Sequence, residues 1–273
     1  MALYWYVFFF GFGAIIGSFL NVVIYRLHTG RSLNGRSHCM SCGKMLSWYE
    51  LLPVFSYLSL RGACKGCNAY IPSRYLMVEI LTGILFLLVW HTYAFDVVLL
   101  ALNLVLVSAC VVMLVYDMRH MIIPNELTLL VAGIAAIFLG YGVSQEEDAL
   151  FIFGHVVASL SVAFFFWALW FVSKGRWIGF GDVKLSLPFG FLVGLEGVFS
   201  MVVFSFWIGA VVSLSLLGLE RLTKRGKIRL HFLSSSLTIK SEVPFAPFFI
   251  AGFLLVHLFH ADIFTLTHTI FFE

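Results

Sequence analysis

Charge is what this sequence holds least of. Only 11% of its 273 residues are charged, against about 25% in a soluble domain. Hydrophobic residues make up 61% and the mean hydropathy is +1.00. A water-soluble fold of this size has no way to hide so much apolar surface, so a bilayer takes the excess. The net charge of +3 is too small to indicate a nucleic-acid partner. No basic stretch precedes the first apolar run, Leu3 to Ile24, and positive charge follows it instead at Arg26, Arg31 and Arg36. A secretory signal has the opposite polarity, so this run is expected to be a retained first span. No low-complexity tract, internal repeat, Ser–His nucleophile pattern or H-E-x-x-H motif is found. Nor is there a glycine-rich dinucleotide fingerprint. Gly11-Phe-Gly13 lies inside an apolar run and reads as helix packing.

What the chain does contain is long apolar runs with aromatic residues among them, 17% in all, as lipid-facing helices require. About 20 apolar residues cross the hydrocarbon core. The runs predict an all-α integral membrane protein of about eight spans: Leu3–Tyr25, Tyr75–Tyr93, Val97–Tyr116, Leu127–Val143, Leu150–Val172, Val183–Leu195, Val198–Leu219 and Pro244–His260. The sixth is short and separated from the seventh only by Glu196 and Gly197. A half-helix or re-entrant piece there, giving seven spans, is the alternative. With eight, residues 26–74, 117–126, 173–182 and 220–243, together with Lys184, hold all 17 Lys and Arg. The other connections and the C-terminal tail carry Asp96, Glu146, Glu147, Asp148, Glu196, Asp262 and Glu273, with no Lys or Arg. The positive-inside rule then places the N-terminus outside and the basic loops in the cytoplasm. Two parts follow: residues 1–95, holding the first helix, a large cytoplasmic loop and the second helix, and a bundle over residues 96–273.

That loop contains Cys39-Met-Ser-Cys42 and Cys64-Lys-Gly-Cys67, separated by 21 residues. Each short pair lets two thiolates grip one metal, and the second pair closes a tetrahedron. Gly43 and Gly66 stand where tight turns want a permissive backbone. A structural zinc is expected, because four Cys leave no open coordination position and the reducing cytoplasm disfavours disulfides. Cys110, alone in an apolar run, reads as core. His28 and His38 read as solvated loop residues.

Among the few acidic residues, Asp117 follows one apolar run and Asp182 precedes another, in Gly179-Phe-Gly181-Asp182-Val-Lys184. Both lie at cytoplasmic span ends. Singly, each is explained as a solvated helix-end carboxylate or, for Asp182, a helix cap. As a pair on one membrane face they fit peptide hydrolysis by a shared-proton dyad, since close like charges cannot both ionise. One member activates water while the other protonates the carbonyl oxygen. Gly179, Gly181 and Lys184 are then expected to line the substrate's approach, and no metal is expected at this site.

The ordered blocks of the chain resemble the bacterial type IV prepilin leader peptidases. They are Gly17-Ser-Phe-Leu-Asn21-Val-Val-Ile-Tyr-Arg26-Leu, the paired Cys loop, Leu46 to Gly62, Arg74-Tyr-Leu-Met-Val-Glu79-Ile-Leu-Thr-Gly83, Asp117 with Ile123-Pro124, the Gly179 to Leu185 block, and Val243-Pro-Phe-Ala-Pro-Phe. The resemblance implies cleavage of prepilins and pseudopilins after a Gly on the cytoplasmic side of the bacterial inner membrane. It matches Asp117 and Asp182 to the family's catalytic pair. It also implies methylation of the new N-terminal residue with S-adenosylmethionine, for which Glu79, Arg74, Asn21 and Arg26 are the polar candidates. The chain departs from the family at Met40, where Pro is common, and at Asn125, where Asp is common. Two rivals stand beside the bifunctional enzyme. One is a peptidase alone, with zinc serving structure; the other is a proton-coupled transporter, which two aspartates on one face disfavour.

Overall fold

The computed structural model describes residues 3–29, 32, 34–144, 149–224 and 244–263. Arg31, the acidic residues 146–148, the basic residues 225–240, Val243 and Glu273 lie outside the described residues. The described chain is helical, with isolated β-bridges and no strand. In order it forms α1 (Leu3–Arg26), a 3-10 turn (Trp48–Leu51), α2 (Phe55–Ser59), α3 (Arg74–Tyr93), α4 (Val97–His120), α5 (Asn125–Ser144), α6 (Ala149–Ser173), α7 (Phe180–Lys224) and α8 (Ala246–Phe259). Six of these are long and apolar enough to cross a membrane; α8 is a shorter apolar helix. Contacts divide the chain into two compact units, Met1–Tyr116 and Asp117–Glu273.

In the first unit, α1 and α3 meet through glycine. A Cβ at Gly13 would stand 2.7 Å from Phe86 Cβ, and one at Gly17 would stand 2.8 Å from the Glu79 backbone. Gly83 returns the fit against Phe10. This Gly13-x-x-x-Gly17 seam lets the two backbones approach as apolar helices in lipid require. Gly11, by contrast, meets nothing, so the packing role expected for Gly11-Phe-Gly13 belongs to Gly13 alone. Phe9 stacks on Trp90 with centroids 4.5 Å apart further along the seam.

In the second unit, α7 packs with α5, α6 and α8. Its 45 residues would measure about 67 Å if straight, more than twice a hydrocarbon core. It is not straight: Gly194 has φ 74° and ψ −179°, which only glycine adopts readily. On α8, Phe253 stacks on Phe189 at 3.9 Å while the adjacent Gly252 abuts Ser205. Residues 189 and 205 would be about 24 Å apart along one straight helix. Neighbouring residues of α8 can touch both only if α7 doubles back. It therefore supplies two arms, α7a (residues 180–193) and α7b (residues 195–224), and the apolar segments number eight among the described residues. The turn comes at Gly194 rather than at the expected Glu196-Gly197, because Gly197 is wedged between Val193 and Val256. Turning frees carbonyls at the end of α7a. His155 of α6 donates to Phe191 O through Nδ1, and His257 of α8 donates to Leu192 O. In lipid such groups have no water to turn to.

Candidate functional site

The expected end of the third span at Tyr116 falls short. Helix α4 runs on to His120, with Met121 N–H donating to Asp117 O at 2.8 Å, and stops where Met121 takes φ 52°. Asp117 is therefore inside the last turn of α4 and 5% exposed. Asp182 lies in the first turn of α7a and is 6% exposed. Both belong to the second unit. Contacts of Gly181 with Ile123 and of Lys184 with Asn125 hold the start of α7a against the segment that follows Asp117. Oδ1 of Asp182 is buried with no hydrogen-bond partner among the described residues. A buried polar oxygen left unpaired costs about 1–3 kcal/mol, a cost that a purely structural carboxylate at a helix start would avoid by capping.

The neighbouring glycines differ in use. A Cβ at Gly179 would stand 3.6 Å from Asp182 Oδ2, an ordinary contact, so packing does not require glycine there. A Cβ at Gly181 would stand 3.2 Å from Ile123, so its smallness serves the packing of α7a against the segment before α5. Lys184 donates through Nζ to Asn125 Oδ1 at 3.1 Å, tying α7a to the first residue of α5, and lies over the Phe180 ring. Asn125 thus accepts a hydrogen bond where an Asp would form an ion pair.

In the first unit the four expected thiols converge, with Sγ atoms all within 4.8 Å of one another and Cys39 and Cys67 at 3.8 Å. Tetrahedral zinc with Zn–S of about 2.3 Å places its ligands about 3.8 Å apart, so the donor set fits. Two matching turns produce it. Cys39 N donates to Lys44 O and Gly43 N to Cys39 O; Cys64 N donates to Ala69 O and Asn68 N to Cys64 O. The left-handed residues are Gly43 (φ 71°) and Asn68 (φ 57°). Asn68, not the expected Gly66, fills the second such position, as Asn tolerates it. Gly66 is crowded instead, its missing Cβ 3.0 Å from Lys44. The Cys42 and Ser41 amides bring Cys39 down to about 6. Cys67, although the Ala69 amide favours its thiolate, is pushed up to about 11, with Cys42 the leading cause. Thiols this close do not all ionise unaided; a cation resolves the conflict. Cys110 is fully buried in the core of α4, as expected.

Beside this cluster, still within the first unit, lies a cavity of about 550 Å³. Asn21, Arg26 and Glu79 line it; Arg74 does not, and lies over the Tyr75 ring instead. Glu79 accepts the Val54 N–H at 2.8 Å and is bonded by the Ser18 hydroxyl. Asn21 donates to Tyr75 O, and Arg26 to Ser32 O and Asn34 O. His28 and His38 are both exposed, as expected, although His38 also borders the cavity and His28 bonds the Tyr116 hydroxyl. Sequence reasoning missed Glu50, a buried cavity residue held by Lys44 and by Ser47 N–H. Its signal was present as Ser47-x-x-Glu50, a capping box.

Known proteins extend this picture. The model of the bacterial peptidase A24 N-terminal domain matches residues 12–93, and that of the type IV leader peptidase family matches residues 104–214. A prepilin leader peptidase/N-methyltransferase of Myxococcus xanthus (strain DK1622) is 37% identical over 77% of this chain, which spans 63% of that relative's length. Proteins of the same description from Dichelobacter nodosus and Vibrio cholerae are 28% and 31% identical, over 94% and 73% of this chain and 93% and 84% of their own lengths. No solved structure matches.

Proposed function

The chain belongs to the type IV leader peptidase family and is a multi-pass inner-membrane protein, and from that premise we propose that it removes the basic leader of prepilins and pseudopilins after a Gly and then methylates the new N-terminus. The observation that carries the cleavage reading is the burial of Asp117 and Asp182 at two helix ends of one unit, with one Asp182 oxygen left unpaired. Two such carboxylates share one proton and titrate as a unit. The ionised member takes a proton from water as the water oxygen attacks the scissile carbonyl carbon. The protonated member donates to the carbonyl oxygen, and the amine leaves with a proton returned from the dyad. The distribution of Lys and Arg supports a cytoplasmic position for this end of the bundle.

Cys39, Cys42, Cys64 and Cys67 would hold zinc, which supplies a closed structural crosslink and no catalytic position. The cavity beside them suits S-adenosylmethionine in size, being within the range of small-ligand sites. Bound there, that group supplies an electrophilic methyl. Asn21, Arg26 and Glu79 are the polar side chains placed to orient it. A transporter reading gains nothing from two carboxylates gathered at neighbouring helix ends, since a relay distributes them through the membrane depth.

The test is incubation with a prepilin carrying a Gly–Phe junction, following leader release and transfer of labelled methyl separately. Asp117→Asn and Asp182→Asn should each abolish release. Full cleavage by either variant overturns the dyad assignment, and absence of methyl incorporation by the wild type leaves a peptidase alone.

A further inference from the structure

The loop between α1 and α3 carries large apolar side chains that no described residue covers. Trp48 and Phe55 are each 75% exposed, Leu58 60% and Leu52 45%. Trp48 belongs to the 3-10 turn, Leu52 to the break after it, and Phe55 and Leu58 to α2, while Glu50, Ser56, Tyr57 and Leu60 line the cavity. Exposed apolar residues in a loop of a soluble protein would be a liability. Here a specific contact fixes their depth. Val54 N–H donates to Glu79 Oε2 at 2.8 Å, and the same carboxylate is bonded by Ser18. Glu79 lies about 7.5 Å along α3 from Arg74, and Ser18 about 12 Å back along α1 from Arg26. Arg26 and Arg74 are the charges that end the two apolar runs, so Val54 is drawn back to a level inside the membrane-spanning helices.

We propose that residues 48–58 form an interfacial segment sunk into one leaflet, with Trp48, Leu52, Phe55 and Leu58 in contact with lipid. The backbone is prepared for that environment, where an unmet donor is costly. Pro53 has no N–H, Ser56 N donates to Leu52 O, Leu58 N to Val54 O, and the donor stranded between the two short helices, Val54 N, is met by Glu79. Val54 holds φ 63°, a conformation costly for a β-branched residue, and the Glu79 bond accounts for its persistence. At the outer edge Lys65 Nζ stands 5.0 Å over the Tyr49 ring, next to Trp48. This aromatic and cationic rim suits the headgroup level, with the cation set for anionic lipid phosphate. The cavity wall is then the inner side of a lipid-facing element, so a chain end lying in the bilayer reaches the cavity without leaving the membrane surface.

The experiment places the photoreactive residue p-benzoylphenylalanine at position 55 of the full chain in nanodiscs of phosphatidylethanolamine and phosphatidylglycerol, with adducts read by mass spectrometry. Phe19, exposed on α1, is the in-membrane control, and Ser41, exposed in the first cysteine turn, is the aqueous one. Lipid adducts at position 55 should match those at Phe19 and exceed those at Ser41 by about tenfold or more, as the lipid-facing surface of a span does. Yields at position 55 no higher than at Ser41 overturn the proposal. So do adducts confined to an added prepilin or to a second copy of the chain. Should the Phe55 variant lose its metal, the same probe at Leu58 gives the decision.

Discussion

Among the described residues four carboxylates are buried, two in each unit, and they are treated in opposite ways. Glu50 and Glu79 are met: the first by Lys44 and Ser47 N–H, the second by Val54 N–H and Ser18. Asp117 and Asp182 lie at two helix ends, and an oxygen of Asp182 has no partner among the described residues. A satisfied carboxylate fastens a loop. An unsatisfied one retains capacity for a bond that forms only with substrate or water. With the dyad proposed above, the contrast separates scaffold from chemistry.

The largest effect should come from removing the crosslink that the first unit depends on. Cys64→Ser should empty the metal site and disorder the turns around it, a loss on the order of 10 kcal/mol of binding free energy. Metal analysis and protease sensitivity of the loop read this out, and leader cleavage should persist, since the aspartates lie in the other unit. Next, Asp182→Asn should lower kcat/KM for cleavage by about 10²–10⁴-fold while leaving thermal stability equal or higher by about 0.5–2 kcal/mol, as relief of a functional site does. A melting curve beside the cleavage assay checks both halves; a large destabilisation would place Asp182 with the scaffold carboxylates and dissolve the contrast.

Glu79→Ala should do the reverse. Losing a charge-assisted bond to the Val54 amide should cost about 1.5–3 kcal/mol, seen as faster hydrogen exchange at residues 52–58, with cleavage kept. The smallest effects should distinguish the two cysteine turns. Gly43→Ala should weaken metal retention against a chelator by about 1 kcal/mol, because it forces a Cβ into the left-handed region. Asn68→Gly should change it by less than about 0.5 kcal/mol, since glycine accepts that conformation freely.

Which of these features the sequence makes legible follows from how far each is local. The spans are readable because apolar length is a local property, and the thiol cluster because two short pairs define a tetrahedron. Asp117 and Asp182 stand out because charge is rare around them. The partner of Glu79 is not readable: it is a backbone N–H 25 residues away, and any residue except proline offers one. The turn within α7 is misplaced for a similar reason. Gly194 and Gly197 look alike in sequence, and only Val193 and Val256 decide which is packed and which bends. Asn68 shares that fate, since its left-handed φ follows from register with Gly43 across two separate turns. The cavity has no local signature at all, being bounded by α1, α3 and the loop together.

The doubled-back α7 also bears on how the enzyme is made. Its first arm is 14 residues, about 21 Å, too short to cross the hydrocarbon core unaided. During synthesis it has no stable transmembrane position until α7b follows, so the pair enters the bilayer as one insertion unit. The Leu192 carbonyl at its tip then waits for His257, which arrives only with α8. Asp182 rides on that first arm. A nascent chain that ends before α8 therefore carries that first arm with one carbonyl at its tip still without its His257 partner.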